Sequence, residues 1–355
     1  MIIYTMLIFI WILIWIFFKR DQKKLFLIIS IFLLFLLMGL RSYNIGTDTY
    51  SYCMNYLENS FISWRDIFCR EFSLGNSNYG FFTLNKLIYL IFPENYTFYL
   101  VSISGIVSFS IYKFMRKFSK NYLMSLIILL SLGFIFFFMS GIKQTLAISF
   151  ILLSYIKLKE EKYLKFILMV FLAASFHNTA LIVLSVLGVQ KFKIKKIYFL
   201  LVPSMIVFSI LFQRKIVYFL QKMVSGGKYA TYGTDYVSTN NLTGLYIQCI
   251  ILLVTFILVG YRLRQDKELE FYVSIYSIGI FFQTLTPVIA EFFRISMYFS
   301  VISCVLLPYA ILNSKYRQKK FIIGIMILFF IFYFYIANRG NEVFIPYELF
   351  FDNYI

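Results

Sequence analysis

The chain has 355 residues, of which 61% are hydrophobic and only 14% charged, with 44 Phe and 29 Tyr. A water-soluble protein needs roughly a quarter of its residues charged to cover its surface, so a set of soluble domains is excluded and lipid is the solvent. The net charge of +18 would mark nucleic-acid binding only if the basic residues shared one face or segment; they are spread among linkers between apolar segments, which removes that partner.

A helix rising 1.5 Å per residue needs about 17–25 apolar residues to cross a ~30 Å hydrocarbon layer. On that basis spans are predicted over Ile2–Phe18, Leu25–Leu40, Tyr96–Met115, Tyr122–Phe138 and Ile142–Ile156. Later ones are predicted over Ile197–Phe212, Leu242–Gly260, Phe271–Ala290, Ile295–Leu312 and Phe321–Ala337. The segment Tyr79–Phe92 is short for a crossing and reads as re-entrant or interfacial. Leu164–Val189 is long and broken at Ser175-Phe176-His177-Asn178, which suggests a helical hairpin with His177 at its tip. The opening segment lacks the charged start and small-residue cleavage site of a secretory signal.

Six linkers are basic: Lys19–Lys24, Lys113–Lys120, Lys157–Lys165, Lys191–Lys196, Tyr261–Glu270 and Lys315–Lys320. They hold 23 of the 34 Lys and Arg residues and only six acids, net +17, which leaves the rest of the chain at net +1. Basic residues accumulate on the cytoplasmic side of a membrane, so all six linkers are expected there. An even number of crossings must then separate each from the next. The expectation is an all-α polytopic protein of the cytoplasmic membrane, a single domain over 1–355 with about twelve transmembrane helices, some re-entrant or broken. Two large loops, 41–78 and 213–241, and the tail 338–355 are expected outside.

Ionisable residues within or at the edge of a span are costly unless paired or wet, so each is a functional candidate. Sorted by side, they gather at the outer boundary. Arg41 ends the second span and is followed by Asn44, Gly46, Asp48, Thr49 and Tyr52. Lys143 and Gln144 open a middle span, and His177 is the sole histidine. Glu291, Arg294 and Tyr298 follow one another at spacings of three and four, on one helical face. Each has a plain structural reading as well. The cations can snorkel to headgroups, Asp48 and Thr49 suit turns and helix caps, and Glu291 with Arg294 makes an ordinary i,i+3 pair. The joint pattern favours a polar chamber for a phosphorylated ligand, because Arg and Lys bind phosphate oxygens strongly. The cysteines Cys53, Cys69, Cys249 and Cys304 show no metal-ligand spacing, and no metal or cofactor is expected. Cys53 and Cys69 share one polar loop, as a pair or as two free thiols.

These residues resemble those of the EpsG-type, or Wzy-type, polysaccharide polymerases of bacterial envelopes. The likeness rests on Arg41-Ser-Tyr-Asn-Ile-Gly46-Thr-Asp48-Thr49-Tyr50-Ser-Tyr52, on Lys143-Gln144-x-x-Ala147, on Phe176-His177-Asn178-Thr179-Ala180 and on Arg294-Ile-Ser-Met-Tyr298. Two departures stand out: Lys143 where the family usually has Arg, and Asn78 where it often has Glu. The resemblance implies transfer of a growing oligosaccharide from undecaprenyl pyrophosphate to a sugar hydroxyl of another lipid-linked repeat unit, on the outer face of the membrane. It also suggests a chain-length regulator and a flippase as partners. In that reaction Arg41, Lys143 and Arg294 would stabilise the leaving pyrophosphate. His177 is the best-suited base, with Asp48 and Glu291 as alternative bases or orienting groups. Thr49, Tyr52, Gln144 and Tyr298 would contact sugar. A flippase or transporter of the lipid-linked unit, and a glycan ligase, are the rival readings. Transport needs polar sites near the midplane, where charges are scarce here.

Overall fold

In hydrocarbon the backbone N–H and C=O groups must be paired within the protein, and the described residues meet this with helices. The computed structural model describes residues 1–58, 61–73, 78–191, 198–223, 242–262 and 265–351, and among these it is all-helical with no strand. The helices are α1 (Ile2–Phe17), α2 (Lys23–Gly39), α3 (Thr49–Glu58), α4 (Trp64–Ser73), α5 (Tyr79–Ile91) and α6 (Tyr96–Phe118). They continue as α7 (Tyr122–Ser131), α8 (Phe134–Ser140), α9 (Ile142–Lys159), α10 (Tyr163–Phe176), α11 (Ser185–Lys191) and α12 (Tyr198–Met223). The last are α13 (Thr243–Val259), α14 (Lys267–Leu285), α15 (Phe292–Ser300), α16 (Ser303–Asn313) and α17 (Lys319–Ala337).

The predicted spans reappear with changes at their breaks. Tyr122–Phe138 is two helices, α7 and α8, bent by 57° where Gly133 adopts φ +78°. Ile295–Leu312 is likewise split into α15 and α16 at 41°. Among the described residues, three helices are long and apolar enough to cross a membrane, or up to five if each bent pair is one span, with Ile2–Phe17, Tyr163–Phe176 and Asn178–Val189 as shorter apolar segments. The expected twelve also counted Leu25–Leu40, Ile142–Ile156, Ile197–Phe212 and Phe271–Ala290 as crossings; helices α2, α9, α12 and α14 cover most of these positions, but they are not among those long and apolar enough. The loop 41–78 carries two helices of its own, α3 and α4, and α12 runs on to Met223, past the expected limit at Phe212. Much of the loop 213–241, most of the linker Lys191–Lys196 and the tail beyond Phe351 lie outside the described residues.

Two compact units divide the chain: Met1–Leu181 with Gly324–Ile355, and Ile182–Ile323. In the first, α9 is the central post, buried along most of its length and packed on α6 and α10. Its 18 residues span roughly 27 Å and separate two chemically different ends. At one end Glu160 joins Lys117 at 3.4 Å, Lys157 at 3.6 Å and Lys162 at 2.8 Å. The hydrogen bond from Lys162, with help from Lys117 and Lys157, holds its carboxyl at about 2. The helix directions carry the Lys19–Lys24 linker to this basic end. They carry Arg41, Ser140–Lys143, His177 and the C-terminal tail to the opposite one.

The second unit is organised by α14, which packs on α12, α13, α15 and α16. Asp266 caps its start, accepting from the backbone N–H of Glu268 and Leu269, and also accepts the Tyr309 hydroxyl at 2.8 Å. This ties α16 to α14 at the linker side, where Arg262 donates to the Asn313 carbonyl at 2.8 Å.

Candidate functional site

The site in the first unit begins with two helix ends that need capping. The last carbonyls of a helix have no partner within it and carry the negative end of its dipole. Arg41, only 2% exposed, answers both ends at once: its guanidinium donates to the Met38 carbonyl at the end of α2 and, at 2.9 Å, to the Met139 carbonyl at the end of α8. Burial lowers its pKa to about 10, so it stays charged at neutral pH. Thr49, fully buried, places its hydroxyl 2.7 Å from the same Met139 carbonyl and 2.8 Å from that of Ile45. The backbone N–H of Thr47 donates to Ser140 Oγ at 2.9 Å. Gly46 makes this docking feasible, with φ +103° and a position where a Cβ would lie 2.5 Å from the Met139 oxygen. The segment Arg41–Thr49 is thus seated on the α8–α9 break. Asp48, half-buried, opens α3, its carbonyl accepting from Tyr52 N–H.

From that break α9 starts, with Lys143 in its first turn. The Lys143 ammonium lies 4.8 Å from the centre of the Phe81 ring and 5.1 Å from that of Phe82, a cation–π saddle. Tyr52 meets the same Phe81 ring edge-on at 5.6 Å. Both phenylalanines belong to the first turn of α5, the short segment expected to be re-entrant or interfacial. Its Gly80 is pressed against Ser175 near the end of α10, where a Cβ would overlap the serine hydroxyl. Two residues on, His177 ends α10 in extended backbone at φ −155°, ψ 114°. Its Nδ1 lies 2.6 Å from Thr179 Oγ1. In the tautomer that donates Nδ1–H to Thr179, the basic lone pair is on Nε2. The α5 tip therefore links the Lys143, Tyr52 and His177 regions. Gln144, beside Lys143, is 3% exposed.

Cys53, buried and unpaired, faces this region, and Cys69 on α4 is exposed and unpaired. Burial pushes the Cys53 thiol up to about 12, against the pull of Arg41, so it is no thiolate nucleophile at neutral pH. The three remaining candidates belong to the second unit. Glu291 immediately precedes α15, Arg294 is exposed in its first turn with its guanidinium 5.9 Å from the Phe293 ring, and Tyr298 is fully buried.

A model of the EpsG family matches residues 24–349. The chain belongs to the EpsG family. No curated protein and no solved structure matches it. EpsG membership, with the apolar helices, makes this an integral membrane protein with a polysaccharide-polymerase-like role. In this EpsG chain the first three resemblance elements converge on one end of the first unit.

Two sets of residues in this EpsG chain carry no motif that marks them as functional groups in the sequence. Phe81 and Phe82 carry no charge, and their contacts with Lys143 and Tyr52 mark them. The other set is buried in the second unit: Gln248 Nε2 lies 3.3 Å from Gln283 Oε1 and 3.4 Å from Ser296 Oγ, and Ser296 donates to the Gly279 carbonyl at 2.8 Å. A glutamine inside an apolar span is itself costly, and that signal was available at Gln248 and Gln283.

Proposed function

We propose that this EpsG protein is a polysaccharide polymerase that acts on lipid-linked oligosaccharides at the membrane face away from the cytoplasm. The observation that carries the reading is the two-ended first unit. Lys143, His177, Asp48 and Tyr52 share the end that lies a helix length from the Glu160–lysine cluster, and the positive-inside rule assigns that cluster to the cytoplasm.

In the proposed reaction a sugar hydroxyl of one lipid-linked repeat unit attacks the anomeric carbon of a glycan held on undecaprenyl pyrophosphate. The new glycosidic C–O bond forms as the bond from that carbon to the phosphate oxygen breaks. The lipid pyrophosphate leaves with the electron pair, and His177 Nε2 takes the hydroxyl proton. Lys143, held in place over Phe81 and Phe82, meets the negative charge on the departing phosphates. Asp48 orients the acceptor sugar or serves as the base in place of His177, and Tyr52 and Gln144 contact sugar. Arg41 and Thr49, engaged with main-chain carbonyls, hold the loop in place and do not touch substrate. Glu291, Arg294 and Tyr298 are the second unit's own candidates for binding lipid-linked substrate.

The test is the glycan made by a strain with and without this chain. Loss of long chains with single repeat units still displayed supports the proposal. Units trapped inside would indicate a flippase, and long chains left unattached would indicate a ligase.

A further inference from the structure

The C-terminal tail makes contacts that neither the site candidates nor the family resemblance explain. After α17 ends, residues 338–351 return to the Arg41 region of the same unit. Arg41 and Leu349 form an antiparallel bridge, flanked by Ser42 N–H donating to the Glu348 carbonyl and Phe350 N–H to the Leu40 carbonyl, both at 3.0 Å. Gly46 N–H donates to the Val343 carbonyl at 3.3 Å. The Tyr347 hydroxyl donates to the Leu37 carbonyl at 2.7 Å, one of the carbonyls at the end of α2 that the helix itself leaves unpaired. The tail is in turn anchored from behind. Phe344 stacks on Phe136 at 4.7 Å, the Tyr4 hydroxyl donates to the Phe344 carbonyl at 3.3 Å, and the Tyr4 and Tyr347 rings meet edge-on at 6.0 Å.

These contacts fix the loop from two sides. The α8–α9 break holds Arg41, Thr47 and Thr49, while the tail holds Leu40, Ser42 and Gly46. Asp48 carries neither contact, yet it lies between residues that do. We infer that the tail is a positioning clamp for the Arg41–Thr49 loop, with Tyr347 as its positioning residue, so that it sets where Asp48 sits relative to Lys143 and the reacting sugar. The inference rests on the polymerase reading for what the loop does, but not for how it is held.

The experiment separates these two questions. A nitroxide label on Thr47→Cys, an exposed position, reports the mobility of the loop in proteoliposomes, with protein lacking that cysteine as the background. Turnover and KM are measured in the same vesicles with a lipid-linked repeat unit as the probe. Tyr347→Phe removes the hydroxyl and keeps the ring. It should mobilise the label and lower turnover about tenfold to a hundredfold, with KM within about twofold, as expected when reacting groups are misplaced but binding is retained. Phe351→Ala, at an exposed ring, should change neither. If Tyr347→Phe does not accumulate in the membrane, Phe344→Leu loosens the anchor with every tail hydrogen bond kept and should give the same two changes in smaller measure. A label unmoved by either variant overturns the clamp, whatever the activity. A mobilised label with unchanged turnover overturns the positioning role. Absence of polymerisation by the unsubstituted protein would instead defeat the functional reading and leave the label result standing.

Discussion

Gly46→Ala tests whether the Arg41–Thr49 loop is held by its seat on α8. At φ +103° an L side chain is strained, by about 1–2 kcal/mol if the penalty resembles that of the left-handed helix. The new Cβ would also lie 2.5 Å from both the Met139 oxygen and Thr49 Oγ1. Relieving that overlap takes a movement approaching 1 Å, enough to break the Thr49 bond of 2.7 Å and stretch the Arg41 bond of 2.9 Å beyond use. A neutral hydrogen bond contributes about 1 kcal/mol and a charged one about 1.5–3. The expected total is therefore about 3–6 kcal/mol. Gly340→Ala isolates the first part, because Gly340 also has positive φ, +83°, but open space where its Cβ would stand. Reversible unfolding in mixed micelles should place Gly46→Ala about 2–4 kcal/mol below Gly340→Ala. Equal losses in the two variants would refute the argument, since the Met139 carbonyl would then contribute nothing to holding the loop.

The remaining predictions concern charge and proton transfer. Lys143→Met should lower chain growth about 10²–10³-fold, the usual loss when one group that stabilises developing charge is removed; a change below about threefold in a vesicle turnover assay would remove Lys143 from the mechanism. His177→Ala should cost about 10²–10⁴-fold, and Thr179→Val, which deletes the Nδ1 partner, should shift the pH–turnover profile with KM unchanged. A flat profile in both wild type and Thr179→Val would exclude His177 as the base. Glu160 titrates at about 2 against a reference of 4.5, so its stabilising contacts are complete above about pH 4.5 and are lost as pH falls through about 2. Glu160→Gln should flatten the stability–pH curve in that window, and a curve unchanged from wild type would show that the lysine cluster contributes no net stability.

Several features of the site were legible in the sequence because they depend on side chains. The break at His177 falls where the polar Ser175–Asn178 run interrupts an apolar stretch. Arg41, Gly46, Lys143 and His177 come to one end because alternating helix directions and basic linkers leave few other arrangements. What escaped were contacts made through the backbone. The Met38 and Met139 carbonyls that engage Arg41, and the Leu37 carbonyl that takes Tyr347, are created by where helices end, and residue type does not encode that at a distance. The two-sided capping explains why Arg41 is buried where a lipid-facing or substrate-facing arginine was expected. Phe81 and Phe82 looked like two among 44 phenylalanines until the start of α9 brought Lys143 over them. The bend at Gly133 had a visible signal, a lone glycine in an apolar run, but the length of the run suggested one span.

The most direct measurement is chain length in proteoliposomes that contain only the purified protein and lipid-linked repeat units. A polymerase yields a ladder of products several repeats long, with one lipid pyrophosphate released for each linkage made. Repeat units that stay single, whether left in place or carried across the bilayer, would contradict the polymerase reading.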